Sequence, residues 1–338
     1  MSSADALKPR QERWYQSKRF RRFRRNPLAV VGVVILVFFA TMALMAPSLT
    51  ADRLGRACLR DLGLGRSQAR AVLHSPLNAH FWRAMFAPPK SCYSIPRVGY
   101  SPRPKPPSKK YPMGIASGGY DIFYGIVWGA RTSFYIGVLV VGVVMLIATA
   151  VGGAAGLFGG WLDNLLMRLV DVVYSIPSLV LAMVFASIFG RGLTKTMIAI
   201  ALVAWPIYAR MLRGNILQVK AQDYISAAHA LGAGNLRLFF KHILPNSIGP
   251  MIILASLDIG AIVITASTLA FLGLGADVGY ADWGQMISFA RSWISNPGGE
   301  PLKYWFVWFW PSMAIAMFVL GWNLMGDAVR DALDPRSQ

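Results

Sequence analysis

Long apolar runs alternate with short polar connections along most of this chain. Six runs stand out, at residues 28–46, 132–158, 164–189, 196–212, 247–274 and 304–325. At a helical rise of about 1.5 Å per residue each reaches across a hydrocarbon core of about 30 Å, the fourth only just. The pattern predicts an all-α, polytopic membrane bundle of six transmembrane helices, because only helices satisfy their own backbone groups in lipid. The second and third runs are separated by the turn "FGGWLDN" alone. Pro177 in "SIPSLV" and Pro206 in "AWPIYAR" interrupt the third and fourth. Each frees a backbone carbonyl and bends its helix. Packing and a hinge for alternating access are both open readings of these prolines.

Two segments break the alternation. The first, at 47–128, includes "APPKSCYSIPRVGYSPRPKPPSKKYPMG", where proline is too dense for a helix to propagate. Within it "RDLGLGRSQARAVL" suits a short helix. The second is "AQDYISAAHALGAGNLRLFFKHILP" at 221–245. Tyr224, Ala227, Ala228 and Leu231 recur at i, i+3, i+4 and i+7, one face of a helix. Gly232 and Gly234 suit its end, Asn235 suits the cap of a second helix, and Pro245 suits the stop of that one. A face built on Ala227 and Ala228 lets a partner surface approach closely. An interfacial helix resting on lipid would want bulky apolar residues opposite Lys and Arg, and this one has neither in quantity.

Composition supports a membrane protein. The 338 residues are 55% hydrophobic and 14% charged, with a mean hydropathy of +0.46. The net charge of +19 does not mark nucleic-acid binding. Nine Lys and Arg crowd positions 8–25, just before the first run, where they suit anionic lipid at a cytoplasmic face. Twelve more lie between 53 and 110. A cleaved signal peptide ending at Ala46 is the less suitable reading, since the basic lead is long and the apolar run exceeds a signal core. The domain plan is a basic cytoplasmic tail (1–26), a first span (27–46), an extracytoplasmic insertion (47–130), a five-helix core (131–326) and a cytoplasmic tail (327–338). A basic cytoplasmic loop at 213–245 lies inside the core. Charge bias across the short loops places both termini in the cytoplasm, and long loops translocate largely regardless of charge.

Candidate chemistry is sparse. No Walker A motif is present, so the chain is read as a transport subunit and not an enzyme. "GGAAGLFGG" lacks the lysine and suits close helix packing. His74, His80, His229 and His242 are dispersed, and no metal site is expected. Asp258 falls deep in the fifth run, so it should face a pore or a partner. A proton-coupled secondary transporter is the rival class, resting on that residue. Arg168 and Asp171 are spaced to pair along one helix. Cys58 and Cys92 are either a disulfide, if the insertion faces an oxidising compartment, or two unrelated thiols.

The stretch "SAAHALG…HILP" (Ser226, Ala227, Ala228, Gly232, Ile243, Leu244, Pro245) resembles the cytoplasmic signature of permeases of binding-protein-dependent ABC importers. Ser226 stands where that family usually has Glu, and Asp223 one turn earlier is an alternative contact. "RRFRRNPLAVVGVVIL", "YPMGIASGGYDIFYGIVWGARTSFYIG", "TLAFLGLGADVGYADWGQMI" and "NLMGDAVRDALDPR" are similar to the second permease subunit of the dipeptide/oligopeptide/nickel group. In the second segment Ile115, Ala116 and Tyr120 depart from the pattern, while Gly114, Gly119, Asp121, Gly129, Ala130 and Arg131 agree. In the third, Ala266 replaces a common Glu. The resemblance implies a type I ABC importer permease fold. It implies a related second permease subunit, two ATPase subunits that bind ATP and Mg, and an extracytoplasmic substrate-binding protein. The substrate implied is a di- or oligopeptide, with nickel or another small solute as alternative. The helix around Ala227 would couple ATP-driven closure to the pore.

Overall fold

The computed structural model describes residues 27–75, 78–294 and 302–333. The basic lead 1–26 and residues 334–338, which include the last three positions of the carboxyl-terminal signature, lie outside the described residues. The expected all-α membrane bundle is what forms. Its spans are α1 (Pro27–Leu44), α5 (Ile122–Phe158), the bent pair α6 (Gly160–Tyr174) and α7 (Ser178–Phe189), α8 (Leu193–Lys220), α10 (Gly249–Phe271) and α12 (Trp305–Leu333). Counting the bent pair once gives six crossings. The remaining labelled helices are short: α2 (Arg56–Leu62), α3 (Arg66–Leu73), α4 (Ala79–Phe86), α9 (Asp223–Ala230) and α11 (Trp283–Ser288).

The centre of the bundle is α8 packed along α5, flanked by α10, α12 and α1. Small residues set the separation. Gly152 of α5 lies against the backbone of Ala209, where any side chain would collide with the Ala209 carbonyl, and Gly156 lies against Ile216. The glycine-rich stretch therefore does the packing its composition suggests. Outward-facing Val34, Phe38, Leu139, Leu146, Val184 and Ile264 stay exposed, as a surface meeting lipid should.

Three boundaries differ from the sequence reading. First, α5 starts at Ile122, ten residues before the second apolar run, and its 37 residues span about 55 Å. Asp121 caps it by accepting from the Tyr124 amide, and its first turns are buried in the insertion. Second, α12 continues through Leu333, eight residues beyond the last apolar run. Third, the third run is not one straight helix. It turns by 88° between α6 and α7, at Ser175, Ile176 and Pro177. Proline lacks the N–H that would continue α6, and it forces the preceding residue out of helical geometry.

The insertion is folded and not an open loop. "RDLGLGRSQARAVL" makes two helices, α2 and α3, because Gly63 takes φ +70° between them. Cys58 and Cys92, both fully buried, are joined by a disulfide across 34 positions. The proline-dense part is held by backbone pairing to distant loops: Ile95 N donates to Gly279 O and Ala281 N to Tyr93 O. A two-stranded ribbon, β1 (Ile115–Ala116) with β2 (Tyr120–Asp121), leads into α5. Side chains fasten the module to that helix. Tyr124 donates to Cys92 O at 2.6 Å and Trp128 to Thr50 Oγ1 at 3.0 Å, while Trp283 of α11 donates to Ile126 O of the same helix at 3.0 Å. This end of the molecule also holds α11. The opposite end holds α9 and both described chain ends.

Candidate functional site

Two features carry candidate chemistry. The first is a cavity of about 600 Å³ at the α6–α7 break, closed by α8 and α10. Asp258 lines it, nine residues into α10, or about 14 Å from that helix's start. Its Oδ2 accepts from Tyr208 Oη at 2.7 Å. Pro177 and Ser178 line the same space, so a bent backbone and a carboxylate meet at one depth. The fourth helix treats its proline differently. Pro206 sits inside an unbroken α8, and the Leu202 carbonyl it frees is taken by the Trp205 indole at 3.0 Å. Pro177 sits at a break; Pro206 sits in a stapled helix.

The expected Arg168–Asp171 pairing along one helix is not the contact made. Asp171 pairs with Arg210 across to α8 at 2.5 Å, and Arg210 also lies 5.0 Å over the Tyr174 ring. One turn further along α8, Arg213 grips Asp163, with Nε donating to Oδ1 at 3.0 Å and Nη2 to Oδ2 at 2.5 Å. Sequence spacing favoured the neighbour on the same helix, but α6 presents its acids to α8.

The second feature is the polar return between α8 and α10. Lys220 ends α8 by donating to Gly156 O and Leu157 O, the last carbonyls of α5. A two-residue turn then leads into α9, with Asp223 in its first turn. Gly232 at φ +85° terminates it: its N–H goes to His229 O and that of Ala233 to Ala228 O. This paired closure is a glycine-dependent helix stop. Ile225, 6% exposed, pins α9 to the bundle, while Leu231 is 90% exposed and Tyr224, Ser226 and Ala227 face outward. Ala228 is half-buried against the core.

The return leg departs from the expected capped helix. Gly234 occupies the cap position before Asn235–Leu238, and Pro245 does not stop the chain. A π-helical turn over Phe239–Ile243 absorbs the proline. Two side chains bond back onto this turn: Asn246 donates to His242 O at 2.6 Å and Ser247 to Ile243 O at 2.8 Å. Ile243 is buried and Leu244 half-buried, so this leg anchors α9.

Several motif residues hold the outer end instead of a ligand. Asp121 accepts from Arg53 Nη1 at 2.7 Å; burial pushes its carboxyl up more strongly than Arg53 pulls it down. Arg131 donates to the carbonyls of Ala43, Met85 and Phe86. Gly129 lets the Trp283 ring sit against α5. Arg53, Arg56, Arg66, Arg97 and Lys110 also line an open cleft of about 790 Å³ in the insertion, against Asp52 and Asp121. No metal-holding cluster occurs among the described residues. The basic cleft was invisible in sequence, because its cations are spread from Arg53 to Lys110 and only the fold gathers them.

A bundle of apolar crossings around a membrane-depth cavity defines a multi-pass membrane permease. Residues 148–338 match the binding-protein-dependent transport system inner membrane component family, and residues 15–54 match the N-terminal TM domain of oligopeptide transport permease C. The chain belongs to this permease family of ABC importers. It is 34% identical to the dipeptide transport system permease protein DppC of Alkalihalophilus pseudofirmus, over 94% of this chain and 88% of that protein. It is 40% identical to the glutathione transport system permease protein GsiD of Pectobacterium atrosepticum, over 68% and 74%. Identity to the oligopeptide transport system permease protein OppC of Bacillus subtilis is 32%, over 93% and 88%.

Proposed function

We propose that the chain is one of two permease subunits in an ATP-driven importer of di- or oligopeptides, and that α9 couples it to an ATPase. The observation that carries this reading is the mounting of α9. It offers Asp223, Tyr224, Ser226, Ala227 and Leu231 to solvent, yet is fixed to the bundle by Ile225 and by the buried return leg. A helix held this way transmits displacement to α8 and α5 without bending. ATP and Mg belong to the ATPase pair, a related permease completes the pore, and both termini lie with α9 in the cytoplasm. The disulfide-bonded module then faces outward, and its basic cleft suits an acidic face of the substrate-binding protein. Peptide as the substrate rests on the names of the relatives. Nickel or another small solute is the alternative, separated by uptake assays with each.

The test is co-purification and coupled uptake in cells carrying the chain with its ATPase. Ala227→Arg and Leu231→Arg change exposed positions only, so the fold stays intact. Both should release the ATPase and stop uptake; if either keeps full coupled transport, α9 is not the docking element. Uptake that persists without the ATPase and stops in Asp258→Asn would instead establish proton coupling.

A further inference from the structure

The α6–α7 cavity holds a charge that the fold itself leaves largely unused. Asp258 lies about 14 Å along a membrane-spanning helix, a depth at which a carboxylate is costly to place. One tyrosine hydroxyl is the hydrogen-bond partner it has among the described residues. The nearby cation does not serve it: Arg210 is engaged by Asp171 and by the Tyr174 face. Around Asp258 the described lining is mainly aliphatic, including Ile200, Val203, Ile207 and Ile262, and it carries no other formal charge. The volume, about 600 Å³, is that of a small-molecule site. An acid fixed by a neutral donor, in an apolar chamber that opens at a broken helix, is complementary to a small cation.

We propose that this cavity binds the protonated amine of the transported molecule and that Asp258 receives it, held in place by Tyr208. The inference rests on the reading of the chain as an importer of peptides, whose free amino terminus supplies the cation. It adds a selective step inside the membrane, after delivery by any binding protein. A peptide with a blocked amino terminus would cross this point without that contact.

The cysteine content makes a direct test available. The sequence has two cysteines, and they are bonded to each other, so Ala261→Cys introduces a single reactive thiol. Ala261 lines the cavity one helical turn from Asp258. The assembled importer carrying Ala261→Cys is labelled with a cationic and with an anionic methanethiosulfonate reagent, and the label is counted on this chain alone after the subunits are separated. With Asp258 present the cationic reagent should react faster by at least about tenfold, relative to the same reagents on a free thiol. Asp258→Asn should abolish that preference and Asp258→Glu should restore it. Dialanine should slow labelling, N-acetyl-dialanine should not, and the difference should vanish in Asp258→Asn. A preference that survives Asp258→Asn, or equal protection by the two peptides, overturns the proposal. Labelling reads the cavity whether or not α9 docks an ATPase. A failed docking experiment with an intact charge preference therefore refutes only the coupling role.

Discussion

Asp282 offers a quantitative test of how the outer end is built. The residue is fully enclosed and caps α11 by accepting the Gln285 amide. No cation faces it in an ion pair among the described residues. Burial pushes its carboxyl from 3.8 up to about 6, and the backbone amides of Gln285 and Gly284 pull it back only partly. A carboxyl held there disfavours its ionised form by ~3 kcal/mol. The folded chain therefore binds a proton between about pH 4 and pH 6 that the unfolded chain releases. Stability should fall as pH rises through that window and stay low above it. Asp282→Asn keeps the capping oxygen and removes the charge. At pH 7.5 it should be more stable than the parent by up to ~3 kcal/mol, and near pH 4 the difference should vanish. Thermal unfolding of the detergent-solubilised chain, followed by tryptophan fluorescence at a series of pH values, measures this directly. A parent stability that is flat from pH 4 to 7.5, or an Asn variant that is weaker at pH 7.5, would refute the reasoning.

Three further outcomes follow from contacts already described. Cys58→Ser with Cys92→Ser opens a 34-position closure and should cost the outer module about 3–4 kcal/mol, seen as faster proteolysis within residues 54–95. Asp163→Ala leaves Arg213 without its two-bond partner and should lower stability by roughly 2 kcal/mol, whereas Asp163→Glu should recover part of it; unfolding midpoints decide. Gly284→Ala drives a methyl into the Ser267 backbone and should cost roughly 1–3 kcal/mol, while Gly142→Ala meets open space on an exposed helix face and should be neutral or stabilising.

The crossings were readable because lipid demands continuous apolar helices, and composition alone reports that demand. What the sequence hid depends on distant partners. The start of α5 looked like loop because Asp121 and Arg131 are polar, yet their needs are met by Arg53 and by three carbonyls from other segments. The proline-dense insertion has no helical period. Its order comes from the disulfide and from backbone bonds to Gly279 and Ala281, nearly two hundred positions away. In the cavity, Asp258 was legible as a membrane-depth acid, but its Tyr208 partner was not, since nothing in either helix's pattern sets their relative rotation. The π-helical turn before Pro245 was equally hidden, because proline ordinarily ends a helix and a local change of helical register leaves no mark in the residue pattern.

The bend at Ser175, Ile176 and Pro177 also bears on how the chain is made. At 15 and 12 residues, α6 and α7 reach only about 22 and 18 Å, so neither half crosses a bilayer alone. The pair cannot settle during synthesis as an ordinary independent span would. It must wait for α8, whose Arg210 and Arg213 arrive later and clasp Asp171 and Asp163. Topogenesis of this region is therefore a joint event of two consecutive segments, and truncation of the nascent chain before Arg213 should leave α6 and α7 unintegrated.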